Sequence, residues 1–222
     1  MQDWTTIDTS LTQDGKPISL RERDGNYIID LNGAELMSTT DHASEERLAE
    51  LACAHLKGVR RARVLIGGLG LGFTLKAALA ALPDDATVVV AEILPAIIGW
   101  NRNPSYPFAA EALADPRVIL RQQDAVEAIG ATRSLYDAIA LDVDNGPYML
   151  CDPGNFRLYN EDGLRQARSA LRSGGCLAVW SVSDDPDFEK FMADAGFTVT
   201  AERSLSQGDR GRWHTIFVGR LK

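Results

Sequence analysis

Residues 63–82 read RVLIGGLGLGFTLKAALAAL, and this stretch decides the fold. It opens with a short apolar run that predicts a buried strand, and four glycines follow within six positions. The remaining residues predict an apolar helix that stops at Pro83. A strand, a glycine-rich turn and a helix form the first unit of a parallel α/β sheet, in which the turn lies at the carboxyl end of the strand.

The same alternation continues to the end of the chain. Further predicted strands are TVVVAE (87–92), RVILRQQ (117–123), YDAIALD (136–142), CLAVWSV (176–182), FTVTAER (197–203) and RWHTIFVGR (212–220). The predicted helices between them are LPAIIGWNR (94–102), DAVEAIG (124–130), NEDGLRQARSALRSGG (160–175) and DPDFEKFMADAG (185–196). Strands separated by helices predict a doubly wound, mostly parallel, Rossmann-like sheet. The last two strands have no helix between them and should pair antiparallel, which is typical of the seven-stranded class I S-adenosylmethionine-dependent methyltransferase fold.

The N-terminal part of the chain follows a different pattern. Residues 17–37 alternate apolar and polar side chains around the dipeptides DG and NG, which favour tight hairpin turns. The segment 44–58, SEERLAELACAHLKG, predicts a helix with Ser44 as its N-cap. We therefore predict a small β-meander within residues 1–43, followed by a ligand-binding α/β catalytic domain over residues 44–222.

Composition narrows the range of partners. The 222 residues carry a formal net charge of −8, which disfavours binding to nucleic acid or to an anionic membrane surface and suits a small cationic ligand. The three cysteines form no CxxC pair, and the N-terminus MQDWTTIDTS has neither the basic nor the apolar region of a signal peptide. A cytoplasmic protein is the expectation from these features.

The glycines of the first turn predict a ligand loop. Gly67, Gly68, Gly70 and Gly72 allow a close backbone approach to a ligand, and the helix that follows offers its N-terminal amides. The dinucleotide fingerprint requires a small residue where this chain has Phe73, which disfavours NAD. The compact Gly-x-Gly-x-Gly form favours an adenosylmethionine-type ligand, and a purely structural turn is the alternative.

Acidic residues follow the next two predicted strands. Glu92 ends the second strand, where a carboxylate can accept hydrogen bonds from both ribose hydroxyls, although it can also be a solvated helix-end charge. Asp124 and Ala125 follow the third strand. Asp124 can accept a hydrogen bond from an adenine amino group, and as a favoured N-cap residue it can equally begin the next helix.

The fourth strand ends in LDVDNGP, residues 141–147. Asp142 and Asp144 are two residues apart, so in extended backbone both side chains lie on the same side. Two carboxylates can hold a cationic amine, and one of them can accept a proton once burial has adjusted its pKa. An acidic turn without function is the alternative, because Asp, Asn, Gly and Pro all favour turns.

Other chemistries lack their sequence patterns. The three histidines have no metal-ligand spacing, which predicts no metal, and neither a Gly-x-Ser-x-Gly elbow nor a phosphate-binding loop with lysine is present. Tyr148, Phe156 and Tyr159 follow the acidic turn and are candidates for an apolar slot, with core packing as the alternative. The four tryptophans, Trp180 among them, are interpreted as core or rim packing.

These motifs, in this order, resemble the spermidine synthase (polyamine aminopropyltransferase) family. The segments that carry the resemblance are IGGLGLGFTLKAAL, VVVAEILPAIIGWNR, RQQDAVEAI, YDAIALDVDNGP and RLYNEDGLRQARSALRSGGCLAVWS. The resemblance implies that decarboxylated S-adenosylmethionine is held by the glycine loop, by Glu92, and at its adenine by Asp124 and Ala125. It implies that Asp142 deprotonates the attacking amine. It also implies that Asp144, with Asn145 and Tyr148 nearby, contacts a small amine such as putrescine, and that the protein forms a homodimer through its N-terminal strands.

The chain departs from this family at several positions. The family's glycine loop carries an aspartate where this chain has Gly70 or Leu71, and the loop after Asp142 is shorter. The family's Tyr-His/Gln-Glu segment corresponds only to Ser44-Glu45-Glu46. Two other functions therefore remain open: an S-adenosylmethionine-dependent methyltransferase of unknown substrate, and a non-catalytic, synthase-derived nucleoside-binding protein.

Overall fold

The computed structural model describes residues 3–143, 146–147 and 155–222. The strands are β1 (Thr5–Leu11), β2 (Pro17–Arg23), β3 (Asn26–Leu31), β4 (Ala34–Ser38), β5 (Arg63–Gly67), β6 (Thr87–Glu92), β7 (Val118–Gln122), β8 (Tyr136–Leu141), β9 (Leu171–Ser181), β10 (Thr198–Leu205) and β11 (Trp213–Arg220). The helices are α1 (Ala43–Cys53), α2 (Phe73–Ala81), α3 (Pro95–Arg102), α4 (Ala110–Leu113), α5 (Ala125–Gly130), α6 (Phe156–Tyr159), α7 (Glu161–Ala170) and α8 (Pro186–Asp194).

The large sheet has the order β10-β11-β9-β8-β5-β6-β7. Strands β5 to β9 pair in parallel, whereas β11 is antiparallel to both of its neighbours, β9 and β10. The predicted fold class is thereby confirmed: a doubly wound, mostly parallel seven-stranded sheet whose last strand is antiparallel. The chain order reverses between β5 and β8, and in such sheets ligands bind at the carboxyl ends of the strands beside that point.

A second, antiparallel sheet of order β1-β2-β3-β4 precedes the large one. Its β2, β3 and β4 correspond to the predicted meander, and its two tight turns place Asp24 and Asn32 at positive φ, each followed by a glycine. Strand β1 was not predicted. It is an edge strand that is exposed at almost every position, so its sequence TTIDTSL lacks a clear apolar alternation.

Two local predictions were wrong. Ser44 is not the N-cap of α1, because the helix begins at Ala43 after His42, and Ser44 is buried in its first turn. The helix predicted over residues 160–175 ends at Ala170, and the sequence LRSGG belongs to β9, where the pairing register with β8 shifts. The two glycines in that segment mark the irregularity in the strand rather than a helix C-terminus.

Two apolar clusters cover the two faces of the large sheet. The cluster that contains Leu48 of α1 and Leu75 of α2 includes Ala140, and the cluster beneath α5, α7 and α8 includes Leu141. Side chains alternate between the faces along a strand, so Asp142, the next residue after β8, belongs to the side of α1 and α2.

Candidate functional site

A cavity of about 440 Å3 lies at the carboxyl ends of the central strands, and the N-terminal sheet forms part of its wall. The predicted site residues that line it are Gly68, Gly70, Glu92, Asp124, Ala125 and Asp142. Gly67 and Gly72 do not line it. Gly67 ends β5, and Gly72, at positive φ, is the N-cap of α2.

The glycine loop is shaped by close contacts on both sides. Gly68 has a φ of +89°, and a Cβ on this residue would collide with the backbone carbonyl of Asp142. Gly70 has a φ of +52°, and a Cβ there would collide with the thioether of Met37 from β4. The amide of Leu71 also donates to the Met37 sulfur at 2.9 Å. Gly68 requires glycine because it meets fixed backbone at a positive φ, and Met37 occupies the space that a side chain at residue 70 would need.

Glu92 is buried, with 5 % of its surface exposed, and it is hydrogen-bonded to the backbone of the glycine loop. Its Oε2 accepts from the amide of Leu69 at 2.9 Å, and its Oε1 accepts from the amide of Leu94 at 2.7 Å. Burial raises the pKa of Glu92, and these backbone hydrogen bonds oppose the rise. The amides of Ile93 and Gly70 contribute to the same effect, so Glu92 primarily fixes the glycine loop, and a ribose hydroxyl would share its carboxylate oxygens with these amides.

Asp124 combines the two roles that the sequence left open. It is the N-cap of α5, with Oδ1 accepting from the amide of Val126 at 2.8 Å, and it also lines the cavity. Its other oxygen, Oδ2, accepts from the guanidinium of Arg157 at 2.7 Å. Arg157 and Asn155 line the same end of the cavity, so this end carries polar groups of both signs.

Asp142 follows β8 at the point where the chain order reverses. Its Oδ2 accepts from the hydroxyl of Thr74, the second residue of α2, at 2.7 Å. Burial raises the pKa of Asp142 to about 6, and the Thr74 hydrogen bond opposes this rise. A carboxylate with a pKa close to neutrality is suited to accept a proton at physiological pH.

Glu45 was not predicted as a site residue, yet it lines the cavity beside Asp142. Only 6 % of its surface is exposed, and the hydroxyl of Ser44 donates to its Oε2 at 2.5 Å. Burial, followed by the negative charge of Asp142, raises the pKa of Glu45 to about 8. A signal was present in the sequence, because Glu45 precedes Leu48, Ala49 and Ala52 at the spacing of the apolar face of α1. Glutamate is rarely buried in proteins, so a carboxylate on the apolar face of α1 indicates a specific function for this residue.

Trp180 also lines the cavity and was interpreted from the sequence as packing only. It precedes Ser181, the last residue of β9, and it packs against the same apolar cluster as α1 and α2. Gly146 lies against the end of β9 next to Trp180, since a Cβ on this glycine would collide with Ser181. The indole Nε1 is buried without a hydrogen-bond partner among the described residues.

Part of the predicted site lies outside the described residues. Asp144, Asn145 and Tyr148 belong to that part of the chain, so their predicted contacts with an amine remain predictions. Within residues 3–143, 146–147 and 155–222, no cluster of three or more His, Cys, Asp or Glu side chains is arranged to hold a metal ion. In the same residues, no helix is long and apolar enough to cross a membrane.

The residues present fit an adenosyl sulfonium ligand. Gly68 and Gly70 line the cavity, Glu92 lies at the end of β6, and Asp124 follows the end of β7. Ile93, Leu94 and Ile97 provide an apolar wall next to Glu92. This pattern of a glycine loop, an acid and an apolar wall suits a nucleoside, although the glycine loop itself carries no acid.

The two sheets and the cavity that they enclose define the class of fold, which is that of the spermidine synthases. A spermidine synthase in complex with the transition state analogue AdoDATO superposes with a TM-score of 0.76 at 16% identity, over 98% of this chain and 72% of that one. The enzyme from Thermotoga maritima gives a TM-score of 0.75 at 19% identity, over 96% of this chain and 72% of that one. A probable spermidine synthase from Corynebacterium glutamicum ATCC 13032 gives 0.65 at 18% identity, over 99% and 81%.

Sequence comparison leads to the same group of proteins. The chain is 28% identical over 129 residues to polyamine aminopropyltransferases from strains of Saccharolobus islandicus, which is 58% of this chain and 42% of those proteins. The chain thus spans less than half the length of the curated relatives it matches. No family model matches the chain. The resemblance to spermidine synthases that the motifs indicate is confirmed by both the sequence and the structural neighbours.

Proposed function

We propose that the protein is a transferase that moves an aminopropyl group from decarboxylated S-adenosylmethionine to a small cationic amine such as putrescine. The observation that carries this proposal is the position of Asp142. It is a desolvated carboxylate at the reversal point of the sheet, and it is in contact with the glycine loop through its backbone. The polyamine aminopropyltransferases among its relatives support the same reaction.

In the proposed reaction, Asp142 accepts a proton from the ammonium group of the bound amine. The freed lone pair of the amine forms a C–N bond with the propyl carbon next to the sulfonium. The C–S bond breaks, and its electron pair stays on sulfur, so that neutral methylthioadenosine leaves. The positive charge passes from sulfonium to the product ammonium, and the chain mainly orients the two reactants in addition to this proton transfer.

Each end of the cavity has a part in this reaction. Glu92, the glycine loop and Asp124 are proposed to hold the nucleoside, and Asp142 to meet the amine. Thr74 keeps the Asp142 carboxylate in one orientation through the 2.7 Å hydrogen bond. This hydrogen bond uses one lone pair of Oδ2, so Asp142 keeps the capacity to receive the proton from the amine.

Calorimetry followed by product detection tests this proposal. Decarboxylated S-adenosylmethionine, intact S-adenosylmethionine and methylthioadenosine are titrated into the protein, and methylthioadenosine release is then measured with putrescine and with other amines. Preference for the decarboxylated donor together with amine-dependent release supports the proposal. Binding of a nucleoside without release under any condition indicates a nucleoside-binding protein.

A methyltransferase is the second candidate, and one observation favours it. The glycine loop has no acid at Gly70, and Met37 fills the adjacent space, so the loop offers no carboxylate to the ammonium group of an aminopropyl chain. Tight binding of intact S-adenosylmethionine, with weak binding of the decarboxylated form, would select this function.

The remaining expectations are part of the same proposal. We propose that residues 44–222 form the catalytic domain and that residues 1–43 form an appended β-meander, in a cytoplasmic protein. We also propose a homodimer through the N-terminal strands. Edge strand β1 supports the dimer, because its Ile7 and Leu11 are 39 % and 65 % exposed.

A further inference from the structure

The acceptor end of the cavity is built around two neighbouring carboxyl groups, of which Glu45 is buried and Asp142 is half-buried. Glu45 from α1 and Asp142 from the end of β8 line the same cavity, and α2 joins them through Thr74. The Thr74 hydroxyl donates to Asp142 at 2.7 Å and lies 3.4 Å from the backbone carbonyl oxygen of Glu45. The two carboxyl groups are therefore held on the same side of the sheet, in one desolvated region.

This pair carries one negative charge near neutral pH rather than two. Burial raises the pKa of Asp142 to about 6, and burial together with the charge of Asp142 raises that of Glu45 to about 8. Because two negative charges repel each other in this desolvated region, the pair favours one charge over two. A site with a single negative charge compensates a single ammonium group.

The other acidic residues that line the described part of the cavity already have partners. Asp14 forms an ion pair with Lys16 at 2.8 Å, and Asp124 forms one with Arg157 at 2.7 Å. Both oxygens of Glu92 accept from backbone amides. A second ammonium group on the acceptor would compete with Lys16 or Arg157 for these carboxylates, or would lose hydration against the apolar side chains of the cavity.

Several of the side chains that line the same cavity are apolar. Trp180 and Val143 line it from the large sheet and the loop after β8, and Leu36 and Met37 line it from β4. The ring of His214 packs against the indole of Trp180 with 4.6 Å between the ring centroids, which fixes the indole in place. Burial of a ligand's alkyl or aromatic carbon atoms against these side chains is favourable, because it removes apolar surface from water.

We propose that the acceptor is a primary amine with one positive charge and an apolar or aromatic body, bound by the Glu45–Asp142 pair and packed against Trp180. This inference rests on the proposed aminopropyl transfer and narrows its substrate class. It differs from the expectation of putrescine, whose second ammonium group would lie against the apolar wall.

A matched amine series tests the inference on the full chain. Release of methylthioadenosine from decarboxylated S-adenosylmethionine is measured with butylamine, hexylamine and putrescine, which have the same reacting end. We expect kcat/KM for butylamine to exceed that for putrescine at least tenfold. We also expect a rise of up to roughly fourfold for each added methylene between butylamine and hexylamine. A kcat/KM for putrescine equal to or above that for butylamine would overturn the inference.

Two substitutions of Trp180 test whether this side chain causes the dependence of kcat/KM on the length of the amine. Trp180→Ala should remove the gain from butylamine to hexylamine, and Trp180→Phe should keep most of it. The exposed Trp213, which lies outside the cavity, gives the matched control, and Trp213→Ala should leave the amine preference unchanged. An unchanged chain-length dependence in a folded Trp180→Ala variant would contradict the inference.

The result also separates this inference from the proposed function. Putrescine preference that disappears in Asp144→Asn would mean that Asp144 supplies a second anchor, so the inference fails while aminopropyl transfer stands. Absence of release with every amine, despite donor binding, would overturn the proposed function. In that case calorimetry with butylamine and putrescine in the presence of methylthioadenosine still decides the inference, because it requires tighter binding of butylamine.

Discussion

Neutralising the buried Glu45 should make the protein more stable at alkaline pH and less stable, by about 1–3 kcal/mol, at acid pH. The pKa of this carboxyl rises from 4.5 to about 8 because of burial and the charge of Asp142. At about 1.4 kcal/mol for each tenfold change in proton affinity, this rise costs the folded state roughly 5 kcal/mol once the pH exceeds 8.

The direction of this pH dependence follows because the Glu45 carboxyl is a weaker acid in the folded protein than in the unfolded chain. Below about pH 4.5 the group is protonated in both states and costs nothing. As the pH rises from 4.5 to about 8 the unfolded chain loses this proton first, so the folded protein loses stability over that interval. Glu45→Gln removes this loss, while its buried amide must replace the hydrogen bond with Ser44, at a cost of about 1–3 kcal/mol. The net gain expected above pH 8 is roughly 2–4 kcal/mol.

Urea unfolding measured between pH 4.5 and 8.5 checks this prediction. The difference in unfolding free energy between Glu45→Gln and wild type should grow steadily across that range. Glu46→Gln is the matched control, because the Glu46 side chain is 44% exposed and pairs with His42 at the surface. Parallel pH profiles for Glu45→Gln and Glu46→Gln would refute the reasoning, since they would mean that burial does not set the charge of Glu45.

Four further outcomes are expected. Asp142→Asn should lower turnover at least a hundredfold in single-turnover assays while the Kd for methylthioadenosine, measured by calorimetry, changes less than threefold; retained turnover would mean that another group accepts the proton. Wild-type kcat/KM should rise with pH around a pKa of about 6. Thr74→Val should move that midpoint to higher pH by removing a hydrogen bond that favours the ionised form, and Thr74→Ser should restore it. Gly68→Ala should cost more than about 2 kcal/mol of stability in thermal unfolding and abolish nucleoside binding, because its φ is positive and its Cβ would meet the Asp142 carbonyl. The exposed Gly99 of α3 has open space around it, so Gly99→Ala should stabilise the protein by up to about 1 kcal/mol.

The order of strands and helices in the large sheet was predictable because each element carries its own periodicity. Strands β5 to β9 are apolar runs bounded by glycine, proline or charged residues, and the glycine loop after β5 marks the ligand side of the sheet. Strand β1 was missed because an exposed edge strand has no buried face to impose an alternating pattern. The end of α7 was misplaced because Gly174 and Gly175 resemble a helix C-terminus, whereas they relax an irregular pairing with β8.

In the candidate site, the side chains that directly follow strands were predictable, and those that come from elsewhere were not. Glu92, Asp124 and Asp142 all follow parallel strands, so topology alone places them at one edge. Met37 reaches the cavity through the packing of β4, which no local pattern specifies, whereas Glu45 was detectable only as a carboxylate on the apolar face of α1. Trp180 was assigned to packing because an aromatic residue near a strand end has the same local pattern whether it faces a core or a cavity.

The shared wall of the cavity links ligand binding to the attachment of the N-terminal sheet. Met37 of β4 accepts from the Leu71 amide in the glycine loop, and Asp8 of β1 accepts from the indole of Trp100 in α3 at 2.8 Å. Both edge strands of the small sheet are therefore hydrogen-bonded to the α/β domain. A ligand that contacts both sheets binds only while they are packed together, so its binding free energy stabilises the contact between them. Truncating the small sheet would leave a groove in place of a pocket, and a bound nucleoside should slow amide exchange in strands that lie far from the reacting atoms.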